Sequence, residues 1–449
     1  MNQQDVFASA QIVVFNPILK ESLDTRLQYF VYLRRLICFV KWDKRKYTRA
    51  QIDFYKQALC GEEDVTNYRH DIEFDRKYCF LLPYDLTLML GFQAKAIQPE
   101  KVTGIINKIV SDFDLTEEQA GFLGLEFGAA MGDDLAWEQV ETSQFAKGLK
   151  KYVKIARQNI DFIRSTPLRI LITANMSAGK STLINALVGK KISLVQTMAC
   201  TSKIHTIISK PFEDGVSSEY DYDLSLSASL EDLMNDNEEN QSSRITVGTY
   251  FNGELSGKRL ILLDSPGVNA SEHPEHREIT EKMIRSRKYK VLIDVLNSTN
   301  LSSNDEKKHL ENIRKWIGRS TVVFVLNQAD KLIDEGEDYL KTIEDQRVYL
   351  TSLGFKHPII CPVSSRAAYL AKKSLTRGLS RLEQREINTF KDIFEIQSMS
   401  VYYEKQFGLP HMNSKCDEKT LLHNCGFTYL EKIITHVVNG GKIYDTGLC

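Results

Sequence analysis

The residues with the clearest chemical content run from Ala174 to Thr182, Ala-Asn-Met-Ser-Ala-Gly-Lys-Ser-Thr. Backbone N–H groups of a tight loop that opens a helix converge on phosphate oxygens, aided by the positive end of the helix dipole. Lys180 adds a mobile point charge for the β- and γ-phosphates, and the Ser181 hydroxyl is placed for a divalent cation. Every defined position of GxxxxGK[ST] is filled except the first, where Ala174 stands for glycine. Alanine does not reach positive φ freely, so the loop entry is expected to differ slightly. Such chemistry needs a strand before the loop and a helix after it. Residues 168–173 are a largely apolar run and residues 183–187 have helical character, so the order reads as strand, phosphate loop, helix.

Further sets follow in the order a nucleotide switch requires. Residues 197–207 put hydroxyls in a loop ahead of a strand-like stretch, and Thr201 is preferred over Thr197 as the group that reaches the cation and the γ-phosphate. Residues 259–263 read as a buried strand ending in Asp264-Ser265-Pro266-Gly267. There Asp264 would hold Mg²⁺ through water and the Gly267 N–H would bond the γ-phosphate. Strands at 291–296 and 321–326, with a helix at 305–316 between them, lead into Asn327-Gln328-Ala329-Asp330. The Asp330 carboxylate can accept from both N1–H and the exocyclic amine of guanine, a donor pair that adenine lacks, while Asn327 braces the loop or meets the base edge. Gln328 stands where a lysine stem would cover the base. A strand at 359–363 ends at Ser364 and Ser365, whose backbone is expected to cap guanine O6. The nucleotide set is therefore Asn175, Met176, Ser177, Ala178, Gly179, Lys180, Ser181, Thr182, Asp264, Gly267, Asn327, Asp330, Ser364 and Ser365, with Ser181, Thr201 and Asp264 around the metal.

The stretches NMSAGKSTLINALVG, LLDSPGV, VLIDVLNSTNLSSND, VLNQAD and CPVSSRAA resemble the bacterial dynamin-like GTPases of the dynamin superfamily. The resemblance spans residues 166–370 and resumes, after an insert at 370–424, in a last helix at 426–438. It implies a P-loop α/β domain with a mainly parallel, doubly wound sheet, GTP and GDP as ligands, and Mg²⁺-dependent hydrolysis completed by self-association across the nucleotide face. Val268 follows the DxxG glycine where small signalling GTPases carry a water-orienting glutamine. The resemblance therefore assigns catalysis to Ser177 and the Thr201 main chain beside Lys180, with a monovalent cation, K⁺ or Na⁺, at the loop. Arg285 and Arg287 are arginine-finger candidates, weighed against a solvated helix end. A second dynamin-like chain is an implied partner, and membrane contact rests on analogy alone. A reading from a different class is a GTP-regulated scaffold with little turnover, in keeping with the missing glutamine.

Charge is nearly balanced in the 449 residues, 58 basic against 59 acidic, so no global field recruits nucleic acid. The polar N-terminus and the lack of an uncharged apolar run of roughly 18 residues give an expectation of a cytoplasmic protein, at most peripheral at a membrane. Eight scattered cysteines without a CxxC pair read as reduced thiols. Residues 1–165 are expected to form a mostly helical domain, 166–440 the nucleotide domain and 441–449 a tail. Within the first, 18–39 has helical spacing, 41–49 is a basic patch read as a solvated loop, and Pro99 starts an amphipathic helix. Thr116 to Gln119 reads as a capping box. Phe145, Leu149, Val153, Ala156, Ile160 and Ile163 form a stripe on one helix face, and 165–167 end that helix. The acidic, serine-rich 211–257 is expected to be a surface excursion with one short helix near Leu230. His411, Cys416, His423 and Cys425 cluster in sequence, but their spacing fits no familiar zinc pattern.

Overall fold

The computed structural model describes residues 3–65, 72–91, 99–145, 147–175, 177–192, 204–221, 223–228, 244–267, 274–301, 303–318, 320–334, 336, 338–410, 417–441, 443–444 and 447–448. The chain divides into two compact units, Met1–Thr166 with Lys210–Ala228, and Pro167–Ser209 with Ser229–Cys449.

The first unit is helical: α1 (Gln3–Ala8), α2 (Leu23–Phe39), α3 (Lys46–Cys60), α4 (Leu82–Met89), α5 (Pro99–Phe113), α6 (Glu117–Ala130), α7 (Asp134–Thr142) and α8 (Lys150–Arg164). Local chemistry sets several boundaries. The Ser22 hydroxyl caps α2, Pro99 opens α5, and Thr116 with Gln119 forms the capping box of α6. The basic patch is only half a loop, because α3 already begins at Lys46. Phe145 lies before α8 and is exposed, so it is not part of that helix's buried stripe. Tyr29, Leu33, Leu123, Phe127, Val153 and Ile160 belong to one apolar core. Asp85 lies buried within this unit and accepts hydrogen bonds from Asn16 Nδ2 (2.9 Å), Tyr29 Oη (2.6 Å), Tyr55 Oη (2.9 Å) and Tyr152 Oη. Burial still pushes its carboxyl up to about 6. Residues 210–228 belong to this unit and carry a hairpin at 217–228, which the surface excursion expected at 211–257 did not include; Leu230, where a short helix is expected, lies outside the described residues.

The strands run β1 (Leu168–Ala174), β2 (Ile204–Lys210), β3 (Ser217–Tyr220) and β4 (Leu224–Ala228), the latter two making the hairpin of the first unit. They continue with β5 (Arg244–Tyr250), β6 (Leu260–Asp264), β7 (Val291–Asn297), β8 (Thr321–Asn327) and β9 (Ile359–Pro362). Within the second unit the sheet order is β5-β2-β6-β1-β7-β8-β9. The pairs β6/β1, β1/β7, β7/β8 and β8/β9 are parallel, and β2/β6 is antiparallel. Six of the seven β7 residues are buried, which requires cover on both faces and explains the near-continuous apolar run. Helices follow most strands: α9 (Lys180–Val188), α10 (Pro274–Ser286), α11 (Asn304–Trp316), α12 (Ala329–Asp334), α13 (Tyr339–Ser352) and α14 (Ser365–Thr376). The expected insert is helical, with α15 (Arg381–Ile396), α16 (Ser400–Phe407) and α17 (Glu418–Asn424), and α18 (Phe427–Val438) follows. The chain is thus an α/β protein with a mostly parallel sheet and a helical N-terminal region. Among the described residues no helix is long and apolar enough to cross a membrane. Among the described residues Cys38, Cys60, Cys79, Cys361 and Cys425 take part in no disulfide.

Candidate functional site

Chain order reverses across β1: β6 lies on one side and the later β7 on the other. In such sheets the crevice beyond the carboxyl ends of the central strands is the ligand position, and β1 delivers residues 175–179 there. Ala174 is buried at the last strand position, in a conformation any residue adopts, so the missing glycine has no steric consequence. Among the described residues of this loop Ser177 (φ 65°) and Gly179 (φ 86°) are left-handed. Ser177 is exposed, and the Ala178 N–H donates to the Asn175 carbonyl at 3.3 Å. Gly179 is the N-cap of α9 with no side chain to cap it, which leaves the first N–H groups of the helix for an anion. Lys180 is buried and its Nζ pairs with Oδ1 of buried Asp264 at the end of β6. Ser181 and Thr182 follow, half-buried, in the first turn.

Asn327, at the end of β8, is buried and holds two other segments. Its Nδ2 donates to the Ala178 carbonyl (2.9 Å) and its Oδ1 accepts from the Ser365 N–H (3.1 Å). A Cβ on Gly179 would lie 2.3 Å from Asn327 Nδ2, so glycine is required there by contact as well as by φ. Of the two roles open to Asn327, this geometry is the brace. Gln328, itself at φ 61°, extends Nε2 to the Ser177 carbonyl (3.2 Å) and accepts from Lys331 Nζ (2.6 Å). The residue replacing the usual lysine is thus attached to the phosphate loop. Asp330 is half-buried; burial pushes its carboxyl up, opposed by a hydrogen bond from Ser364. The Ser364 N–H donates to the Cys425 carbonyl (3.0 Å), and the Ser365 N–H is taken by Asn327. The two amides expected to cap guanine O6 are thus both engaged with protein acceptors, one on Cys425 and one on Asn327.

Asn175, Ser177, Ala178, Gly179, Lys180, Asp264, Asn327, Asp330, Ser364 and Ser365 all lie along the carboxyl edge of the sheet, with Gly267 three residues past β6. Met176, Thr201 and Val268 lie outside the described residues. Arg285 and Arg287 sit at the opposite edge, near the end of α10 and before β7, where Arg285 stacks over Trp316 (4.5 Å) and Arg287 Nε donates to the Trp316 carbonyl (2.9 Å). The solvated helix end is their place in this chain, not the phosphate loop. Among the described residues no group of three or more His, Cys, Asp or Glu side chains is disposed to hold a metal ion. Sequence reasoning offered the brace as one of two roles for Asn327 but could not name its partners, Ala178 and Ser365, which the fold brings together.

Residues 170–329 match the model of the dynamin family. That segment covers less than half of the chain and runs from β1 through the residue after Gln328. No curated protein matches the chain. Among solved structures, a single-residue variant of the Aquifex aeolicus Era protein bound to GDP·AlF4⁻ is similar at 19% identity and a TM-score of 0.26, over 44% of this chain and 50% of that one. The chain thus spans about half the length of that protein.

Proposed function

We propose that the second unit binds GTP and hydrolyses it to GDP and phosphate at the carboxyl edge of its sheet. The observation that carries this is the convergence there of the phosphate loop, the Lys180–Asp264 pair and the Asn327–Asp330 turn, three segments far apart in sequence. The dynamin-family match over residues 170–329 supports it. In this reading the α9 N-terminus and Lys180 take the β- and γ-phosphates, and the ionised Asp330 accepts from guanine.

The donor set fits Mg²⁺: a buried carboxylate, Asp264, whose present counter-charge is Lys180, and the first-turn hydroxyl of Ser181. Phosphates would draw the Lys180 ammonium and leave Asp264 in need of a cation, which Mg²⁺ would supply while neutralising charge on the transferred phosphoryl group. Ser177 and Thr201 complete the proposed catalytic set beside Lys180. Self-association across the nucleotide face is proposed as the activating step, with K⁺ or Na⁺ as an accessory ion.

The deciding experiment measures base selectivity and turnover together. Asp330→Asn is expected to move preference from guanine towards xanthine, and unchanged GTP selectivity would sink the assignment. Lys180→Ala is expected to lose nucleotide binding. Turnover per molecule that rises with protein concentration supports the self-activated enzyme, whereas tight binding without turnover supports the GTP-regulated scaffold that Val268 favours.

A further inference from the structure

The opposite, amino-terminal edge of the same sheet carries a basic pocket for which the nucleotide chemistry has no use. Its volume is about 580 Å³, and its lining includes Arg169, Arg287, Lys288, Lys290, Gly318 and Ser320. No carboxylate lines it among the described residues. A second depression of about 420 Å³ shares Ser320 and adds Arg314, Lys356 and His357, again without a carboxylate among the described residues. In a chain whose basic and acidic side chains number 58 and 59, such segregation of sign is local and not compositional. We infer that this edge binds a ligand carrying two or more phosphate groups.

The pocket is assembled by regular structure. Arg169 lies at the start of β1, Lys290 immediately precedes β7 and Ser320 precedes β8. The Lys290 N–H donates to the Arg169 carbonyl (2.9 Å) and the Thr321 N–H to the Lys290 carbonyl (3.2 Å), so three adjacent strand starts are locked side by side. Neighbouring strands lie about 4.8 Å apart, a spacing at which one ligand meets cations from two strands. Arg287 is held in a left-handed turn (φ 50°) after α10, and the missing side chain of Gly318, where a Cβ would lie 3.0 Å from Arg287 Cζ, leaves room for its guanidinium.

Compensation of helix C-termini accounts for part of this charge. Arg287 Nε takes the Trp316 carbonyl, Arg314 Nε takes Gly354 (2.7 Å) and Lys290 Nζ takes Val437 (3.4 Å). A guanidinium has five N–H donors and an ammonium three, so each retains donors towards solvent. Lys288 is exposed and has no part in that capping. Clustered Arg and Lys with spare donors are the recognition chemistry of phosphate oxygens. β1 spans seven residues. At about 3.3 Å per residue this puts the pocket roughly 20 Å from the phosphate loop, too far for one ligand to serve both.

Phosphate ester chemistry of this kind reaches a protein either as a soluble polyphosphorylated molecule or as a lipid headgroup. The test uses the intact chain with inositol trisphosphate in solution, and separately with phosphatidylcholine vesicles containing or lacking phosphatidylinositol bisphosphate. Binding to at least one source is expected, weakening steeply with salt. Lys288→Ala with Lys290→Ala, both at exposed positions, should weaken it at least tenfold while the variant stays folded, with the circular dichroism spectrum of the wild type. Lys180→Ala should bind as wild type does. Binding of the soluble probe alone assigns a small-molecule ligand, and binding of the vesicles assigns a headgroup. No binding to either probe, full binding by the double variant, or loss of binding in Lys180→Ala would overturn the inference.

Discussion

Asn327 joins the phosphate loop to the start of α14 with one side-chain amide, and that arrangement separates two roles which sequence alone left open. If its contribution is the brace, removing it leaves the Ala178 carbonyl and the Ser365 N–H without partners in a buried setting. Such orphaned groups cost about 1–3 kcal/mol each. Asn327→Ala should therefore lower the urea midpoint of the nucleotide-free protein; a variant that melts like the wild type and merely binds guanine less well would return Asn327 to the base edge. Gly179→Ala tests the same contact from the other side. It places a methyl group against Asn327 Nδ2 at a residue with φ 86°, where backbone strain alone costs about 1–2 kcal/mol. Loss of nucleotide binding in isothermal titration is the expected readout. At this scale the residue types were legible: lysine after glycine, aspartate at a strand end, Asn-x-x-Asp after an apolar run. The destination of individual N–H groups was not. Which carbonyl or amide takes the Ser364 and Ser365 N–H groups depends on Cys425 and Asn327, brought there only by the fold.

Elements were legible where burial dictates their pattern. The strands β1, β6, β7 and β8 are covered on both faces and read as apolar runs, and each was placed to within about a residue of its bounds. The strands β3, β4 and β5 escaped, because Ser217–Tyr220 is polar and short and Arg244–Tyr250 mixes charge with threonine. A signal was available in Leu224-Ser225-Leu226-Ser227, a strict alternation of period two. The helices after β9 raise a different issue, since α14 is tied to its neighbours by a charge. Lys372 Nζ, buried, donates to Glu431 Oε1 on α18 (2.7 Å), to the Asn252 carbonyl (2.8 Å) and to the Leu187 carbonyl at the end of α9 (3.3 Å). A single truncation such as Lys372→Met leaves the Glu431 carboxyl buried without its partner, which costs about 3–5 kcal/mol. The double change Lys372→Met with Glu431→Leu should recover most of that loss in denaturant unfolding. Equal destabilisation by single and double variants would show that the carbonyl contacts, not the charge pair, hold α14, α18 and α9 together.

For the molecule as a whole, the first unit is bounded not by a sequence break alone but by the return of residues 210–228 to it. Fixed into that unit are two acids buried against tyrosine hydroxyls, and together they set how its stability follows pH. Glu126 accepts from Tyr84 Oη, and burial pushes its carboxyl from an ordinary 4.5 up to about 8. Asp85 is pushed from 3.8 up to about 6, with its four hydrogen bonds opposing the shift. In both cases the folded state holds its proton at a pH where the unfolded chain has released it, so folding binds protons and stability falls as pH rises. For Glu126 that loss starts near 4.5 and is complete just above the folded value of about 8. It amounts to something on the order of 3–5 kcal/mol. Asp85 adds a smaller decrement at lower pH. Glu126→Gln keeps the shape and removes the titration, so the helical circular dichroism of the variant should melt at a nearly constant temperature between pH 6 and 8, while that of the wild type declines. A wild-type melting temperature that rises across this interval would mean that Glu126 is ionised in the folded unit and stabilised by a cation.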